Sequence, residues 1–356
     1  MAVPQKLPPP PFPPSTAETT TAFSIHGDSS SSSYISDVHP DILKTHILTR
    51  LDGPALASVA CASTELHSLA SQDDLWTIIC RSTWPSTDVP RLRQVISTFP
   101  HGPRSFFSAS FPLLSVDQAS ATSPVNHDRP SELISAVDIY YRNELIFSRV
   151  VETETESGWF RCSPFRIDML DPKDTCPTPI SHPDTQDARR ELAEELTLSW
   201  ILIDAVGRRS MNLSSHKPVS VQRHWLSGEV HARFASILAG EKGSSSEFVQ
   251  CGILVTCGGG TRGGGMHVRE VSLQVEDMDG MFLNGKDSLG ILNGSFEGKK
   301  GIKGRREEEG RKRYEGFLEM KRERKERKLR TEGTLDTLCV GFGLLVLVCL
   351  GFLCLR

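Results

Sequence analysis

A glycine-rich run, Gly258-Gly259-Gly260-Thr261-Arg262-Gly263, has the GxGxxG spacing that lets a backbone approach the pyrophosphate of a dinucleotide. That chemistry needs a helix directly after the glycines, because the first N–H groups of the helix hold the phosphates. The residues that follow, Met266 to Val275, alternate with period two, so the run reads as a hairpin loop. It also lacks the Lys-Ser/Thr pair of a phosphate-cradling P-loop. Cys251 and Cys257 flank one strand-like run, but no opposing pair stands at zinc-finger spacing, and they read as buried apolar cysteines. His216, His224, His231 and His267 fall in the same region. His224 and His231 could face one another across a turn, yet no carboxylate or nucleophile pattern joins them, and they read as structural. No GxSxG, HExxH or kinase-type set occurs. The sequence therefore predicts no catalytic residue, no cofactor and no metal ligand.

The elements that carry these residues read as strands. Val137, Ile139 and Tyr141 alternate, Arg142-Asn143-Glu144 turns, and Leu145 and Phe147 alternate back. Trp159 to Met169 reads as a further strand. Leu196 to Asp204 is apolar on both faces, as a central strand must be, and the preceding Ala188 to Leu196 has helical character. Val219–Leu226, Val230–Leu238, Phe248–Cys257 and Val268–Val275 complete the set. Six or more short strands with Gly and Ser turns predict a sandwich or barrel. The segment from Asp171 to Asp187 is long and proline-rich and reads as an exposed loop.

A different pattern precedes the strands. Ser36 or Asp37 can cap a helix that has Pro40 in its first turn. Ile42, Leu43, Ile47, Leu48 and Leu51 then recur at helical spacing and predict one apolar face. Asp52-Gly53-Pro54 turns the chain into a second helix with Leu56, Val59 and Ala60. Leu66 and Leu69 mark a third, and Asp73-Asp74 opens a fourth with Leu75, Trp76 and Ile79. So small a bundle is marginal alone and should pack against a partner. Val89 to Phe99 reads as an amphipathic helix, and Phe106, Phe107, Phe111 and Leu113 as a plug against a neighbour.

The segment from Val38 to Trp84 resembles the F-box family. The matching positions are Asp41, Ile42, Leu43, Ile47, Leu48, Leu51, Pro54, Leu56, Ala60-Cys61, Leu69, Leu75 and Trp76. Val38-His39 stands where the family has Leu-Pro, with Pro40 one place later, and Leu66 stands where many members carry tryptophan. HILTRLDGPALASVACAS, QDDLWTIICRSTWPS and RQVISTFPHGPRSFFSASFPLL resemble a plant F-box group whose members also end in a charged helix and an apolar tail. The resemblance implies a non-catalytic subunit whose F-box binds a Skp-family adaptor, and through it a cullin, while another domain holds an unidentified protein substrate for ubiquitination. It implies that Pro40, Asp41, Ile42, Leu43, Ile47, Leu48, Leu51, Pro54, Leu56, Leu75 and Trp76 form the adaptor-binding face. A membrane-anchored scaffold that recruits no ligase is the alternative.

The ends differ from the middle. Residues 1–35 are rich in Pro, Ser and Thr and are expected to be disordered. Nine scattered cysteines and a proline-bearing N-terminus point to a reducing compartment without a secretory signal. Near the C-terminus, Lys321 to Arg330 holds seven Lys or Arg against two Glu, and the 18 residues from Leu338 to Leu355 carry no charge. Basic residues beside an apolar stretch of this length predict a tail anchor with the bulk of the chain cytosolic and the helix in contact with membrane lipid, the endoplasmic reticulum being one such membrane. The basic run lacks interleaved aromatics, which argues against nucleic acid as a partner. The expectation is thus an α+β multidomain chain. A disordered tail (1–35) leads to a small helical F-box bundle (36–84), with an extension and linker (85–130). A mainly antiparallel, sandwich-like β domain (131–285) follows, then a charged linker (286–333) and a membrane helix (335–355).

Overall fold

The computed structural model describes residues 38–112, 114, 130–240, 246–259, 265–297 and 306–354. The expected N-terminal tail, the Ser36/Asp37 cap, Leu113, most of the linker before Pro130, Gly260 to Gly263 and Leu355 lie outside the described residues.

The chain opens with α1 (Pro40–Ile42), a widened π-type turn (Leu43–Ile47) and a 3-10 turn (Leu48–Arg50). Then come α2 (Gly53–Val59), α3 (Thr64–Ala70), α4 (Asp73–Thr83), a 3-10 turn (Pro85–Asp88), α5 (Pro90–Ser97) and α6 (Gly102–Ser110). Their starts follow the sequence. Asp52 Oδ1 accepts from Ala55 N at 2.8 Å to cap α2, and Ser63 Oγ accepts from Leu66 N at 3.2 Å to cap α3.

Two antiparallel sheets follow, and the sandwich expectation is met. One has the order β2-β1-β5-β6, from β1 (Glu132–Tyr141), β2 (Glu144–Glu154), β5 (Leu196–Asp204) and β6 (Arg209–Asn212). The other has the order β3-β10-β9-β8-β7, from β3 (Arg166–Asp168), β7 (Ser220–Arg223), β8 (Val230–Ala239), β9 (Phe248–Gly258) and β10 (His267–Asp277). The short β4 (Cys176–Pro177) also pairs with β10. The hairpin between β1 and β2 turns on Arg142 and Asn143, both with positive φ (51° and 65°), the geometry of a type I′ turn.

Successive side chains of a strand point to opposite faces, and β1 and β5 bury both. Leu133, Val137 and Ile139, with Leu198, Trp200 and Leu202, face the second sheet, where they meet Phe234, Ile253 and Leu273. Ile134, Ala136, Ile201 and Ile203 face the other way, into a core shared with the helices, including Leu56, Trp76, Trp84, Leu92 and Phe106. The helical bundle thus packs on the sheet of its own chain. Polar groups pin the junction. The buried Asp138 carboxylate accepts from Ser86 N (3.0 Å), Ser86 Oγ (2.5 Å) and Ser148 Oγ (2.7 Å), and Trp84 Nε1 donates to Ser199 Oγ at 3.2 Å. Burial pushes the Asp138 carboxyl above its ordinary value, against the pull of the two serines. Asp138→Ala strands the buried Ser86 N–H and should cost about 2–4 kcal/mol, read as a lower chemical-denaturation midpoint. Unchanged stability would show that the serines find other partners.

Three expectations need correction. The run read as a strand from Trp159 to Met169 is a short helix, α7 (Gly158–Cys162), followed only by the three-residue β3. Ser157 Oγ caps α7 by accepting from Phe160 N at 3.2 Å, so a local cap decides the conformation. The strand expected over Val219–Leu226 shortens to β7, since His224 N instead donates to Glu229 O to close the turn at 2.7 Å. The charged linker expected from residue 286 opens instead on a packed helix. There α9 (Gly285–Glu297) buries Leu289, Ile291, Leu292 and Phe296. Before α9, α8 (Gln186–Glu195) precedes β5, as its composition predicts.

The last element, α10 (Arg306–Cys354), is one 49-residue helix. It contains a segment long and apolar enough to cross a membrane, with mean hydropathy 2.1, and none of that apolar stretch is buried.

Candidate docking surface on the helical bundle

The first helical segment divides its apolar residues between two faces. Leu43 and Leu48 are buried, at 6% and 2% exposure, whereas Ile42 and Ile47 stand 50% and 48% exposed. Five residues of a regular α-helix turn through about 500°, which would set Leu43 and Leu48 about 140° apart. The π-type turn removes that mismatch. The backbone N–H of Leu48 donates to the carbonyl of Leu43, five residues back, and brings both leucines to the interior. The same rephasing brings Ile42 and Ile47, also five apart, to the outside.

The eleven residues expected to form one face are therefore separated. Pro40, Asp41, Ile42, Ile47 and Pro54 are exposed, Leu51 is half-buried, and Leu43, Leu48, Leu56, Leu75 and Trp76 are buried. The buried group shapes the exposed one. Trp76 Nε1 donates to Ala70 O at 2.7 Å, and its ring lies 5.4 Å from that of Phe107. Gly53 opens α2 against the Phe107 ring so closely that any Cβ there would overlap it. Gly53→Ala should therefore destabilise the bundle by about 1–3 kcal/mol, an overpacking cost measurable by thermal unfolding.

Two apolar side chains outside the expected set are exposed as well. Val38 precedes α1, and Ile78, 48% exposed, stands on α4. Lys44 Nζ lies 2.6 Å from Asp74 Oδ2 and ties the first segment to α4. Ile47 and Ile78 each stand one turn along from this pair on their own segments. The lysine holds the Asp74 carboxyl below its ordinary value, so that carboxylate stays ionised at neutral pH. Ile78 stands four residues after Asp74, one turn along α4 and at the margin of the buried face that holds Leu75 and Ile79. What this surface offers is apolar area rimmed by charge, a binding chemistry and not a covalent one.

The other candidates assemble no reactive site. β9 and β10 pair antiparallel with Gly258 opposite His267, so the element that follows the glycine run is a strand where a dinucleotide site needs a helix. Burial pushes the Cys251 and Cys257 thiols up to about 12, which leaves them protonated. The rings of His224 and His231 lie 5.5 Å apart. Ser227 Oγ contacts His224 Nδ1 at 3.0 Å and Glu229 Oε2 at 3.0 Å. The serine thus stands between the imidazole and the carboxylate, whereas nucleophilic activation requires the imidazole in the middle. Among the described residues no group of His, Cys, Asp and Glu could hold a metal ion.

A probable F-box protein of Arabidopsis thaliana is 51% identical over 323 residues, covering 90% of this chain and 93% of the relative. Two further F-box proteins of Arabidopsis thaliana are each 44% identical, covering 93% and 90% of this chain and 98% and 89% of their own lengths. No family model matches the chain, and no solved structure does. Identity of this extent over nearly the whole length makes the chain a member of the plant F-box protein family.

Proposed function

We propose that the chain is the substrate-receptor subunit of a Skp–cullin–F-box type ubiquitin ligase, held at a membrane by α10. The observation that carries the reading is the outward pair Ile42 and Ile47, displayed by a bundle that buries Leu43, Leu48, Leu56 and Leu75 inside. Apolar side chains set on a rigid, internally packed frame suit capture of a Skp-type adaptor by buried area. The protein does no covalent chemistry in this account. Its β sandwich holds a protein substrate near the ligase and raises the effective concentration of the two. The apolar end of α10 crosses the bilayer, and the basic residues before it remain on the cytosolic side with the body.

The test is purification of the full chain from detergent-solubilised plant membranes. Adaptor and cullin should accompany it. If neither does, the reading falls and a membrane-anchored scaffold takes its place. Deleting residues 335–356 should move the protein from the floating membrane fraction of a density gradient to the soluble fraction. A full-length chain that already sediments as soluble would contradict the anchor.

A further inference from the structure

We propose that α10 is a rigid strut that sets the height and tilt of the whole body above the bilayer. The inference rests on the membrane reading and goes beyond it, because an anchor alone could be a loose tether.

The first part of α10 is fastened to the body along its length. Phe317 is fully buried against Ile237 and Met278, with Tyr314 and Phe248 packed beside them. Arg311 Nη2 lies 3.2 Å from Glu194 Oε1 at one end of this contact. At the other end Lys321 pairs with Glu276, and Arg324 donates to both oxygens of Asp279 at 3.2 and 2.9 Å. Hydrogen bonding from Arg324 holds the Asp279 carboxyl below its ordinary value, so that carboxylate is ionised at neutral pH. Arg311 and Arg324 are 13 residues apart, about 20 Å of helix. Contacts spread over that length fix direction as well as position.

From Arg324 the helix continues without a break to the apolar segment beginning at Leu338. The residues between, Lys325 to Thr337, are exposed wherever their side chains are described, and all but Leu329, Gly333 and Leu335 are polar. Glu326 and Arg330, one turn apart at 3.7 Å, support this stretch as a solvated helix. An isolated helix of this length would be marginal because nucleation is costly. Here neither end has to nucleate. The docked segment supplies turns on one side, and the bilayer enforces helix on the other, since no backbone group can stay unpaired in hydrocarbon. The stretch from Arg324 to Leu338 spans 14 residues, which places the Asp279 contact about 21 Å from the start of the apolar segment. The body is therefore held off the membrane by a defined gap, and the ligase-docking bundle keeps one orientation to the surface.

The experiment is neutron reflectometry of the full chain in a supported phosphatidylcholine bilayer containing a fifth phosphatidylserine. The parent chain should show a hydrated gap between bilayer and body. Inserting seven helix-forming residues (Ala-Glu-Ala-Ala-Lys-Ala-Lys) between Thr331 and Glu332 adds about two turns and should widen that gap by about 10 Å. A seven-residue insert rotates the body by only about 20°, so its contacts with the surface are otherwise kept. Replacing Thr331-Glu332-Gly333-Thr334 by Gly-Ser-Gly-Ser should smear the body density instead. An unchanged gap with the insert, or a body already smeared or lying flat in the parent, would overturn the strut while leaving the anchor intact. A chain that never enters the bilayer would remove the membrane reading and the strut with it.

Discussion

Ile42→Asp combined with Ile47→Asp is expected to weaken binding of a Skp-type adaptor by about 100-fold or more, with the fold left intact. Both side chains are about half exposed, and neither belongs to the buried core of the bundle. A carboxylate at either position meets water in the free protein and costs little there, within about 0.5 kcal/mol. In the complex each would be desolvated without a partner, which makes the loss large. The informative control is Leu48→Ala. Leu48 is 2% exposed and packs with the helical core, so truncation should cost about 2–5 kcal/mol of stability. The two variants would then separate. The aspartates lose binding at an unchanged melting temperature, and the alanine loses it only through a lower one. Calorimetric titration beside thermal unfolding distinguishes them. Aspartate variants that bind like the parent would show that the adaptor does not use this face.

Arg209→Ala is expected to destabilise the sandwich by about 3–5 kcal/mol. Asp204, at the end of β5, is 1% exposed, and Arg209 opens β6 across the turn from it. The guanidinium donates to Asp204 Oδ2 from Nε at 3.2 Å and from Nη2 at 2.5 Å. It also reaches Asn293 Oδ1 at 2.8 Å and Glu297 Oε1 at 3.1 Å, and lies 5.2 Å over the Phe296 ring. One side chain thus neutralises a buried carboxylate and fastens α9 to the sheet edge. Alanine removes both functions and leaves Asp204 with only the Gly207 N–H and its neighbours in the turn. Lysine restores the charge but not the planar fork, and should recover only part of the loss. Hydrogen exchange should show α9 opening first in the alanine variant. Equal protection of α9 in variant and parent would mean that its apolar face alone holds it.

The parts of the fold legible in the sequence are those where local pattern and burial agree. Leu196 to Asp204 is apolar on both faces because sheet lies on one side and helices on the other, and it became β5 with the bounds expected. The hairpin at Arg142-Asn143 was visible in its turn residues. The docking surface was half legible. Regular helical spacing sets Leu43 and Leu48 about 140° apart, and only the five-residue hydrogen bond at Leu48 sorts Ile42, Leu43, Ile47 and Leu48 into an inner and an outer pair. Nothing in the residue types announces such a bond. α9 was hidden for a different reason. Gly290 and Gly294 interrupt a run whose Leu289, Leu292 and Phe296 still share a face, and packing outweighs the glycine cost of about 1 kcal/mol each. Asp138 was illegible because its partner Ser86 lies 52 residues away, and a separation of that kind carries no periodic trace.

The central claim is that this chain presents a working adaptor-docking face, and its most direct test is a titration. Full-length protein in lipid nanodiscs would be mixed with a purified plant Skp-type adaptor, and complex formation followed by calorimetry. The account predicts saturable binding at one adaptor per chain, lost on Ile42→Asp with Ile47→Asp. A folded, membrane-inserted chain that takes up no adaptor across the accessible concentration range would contradict it.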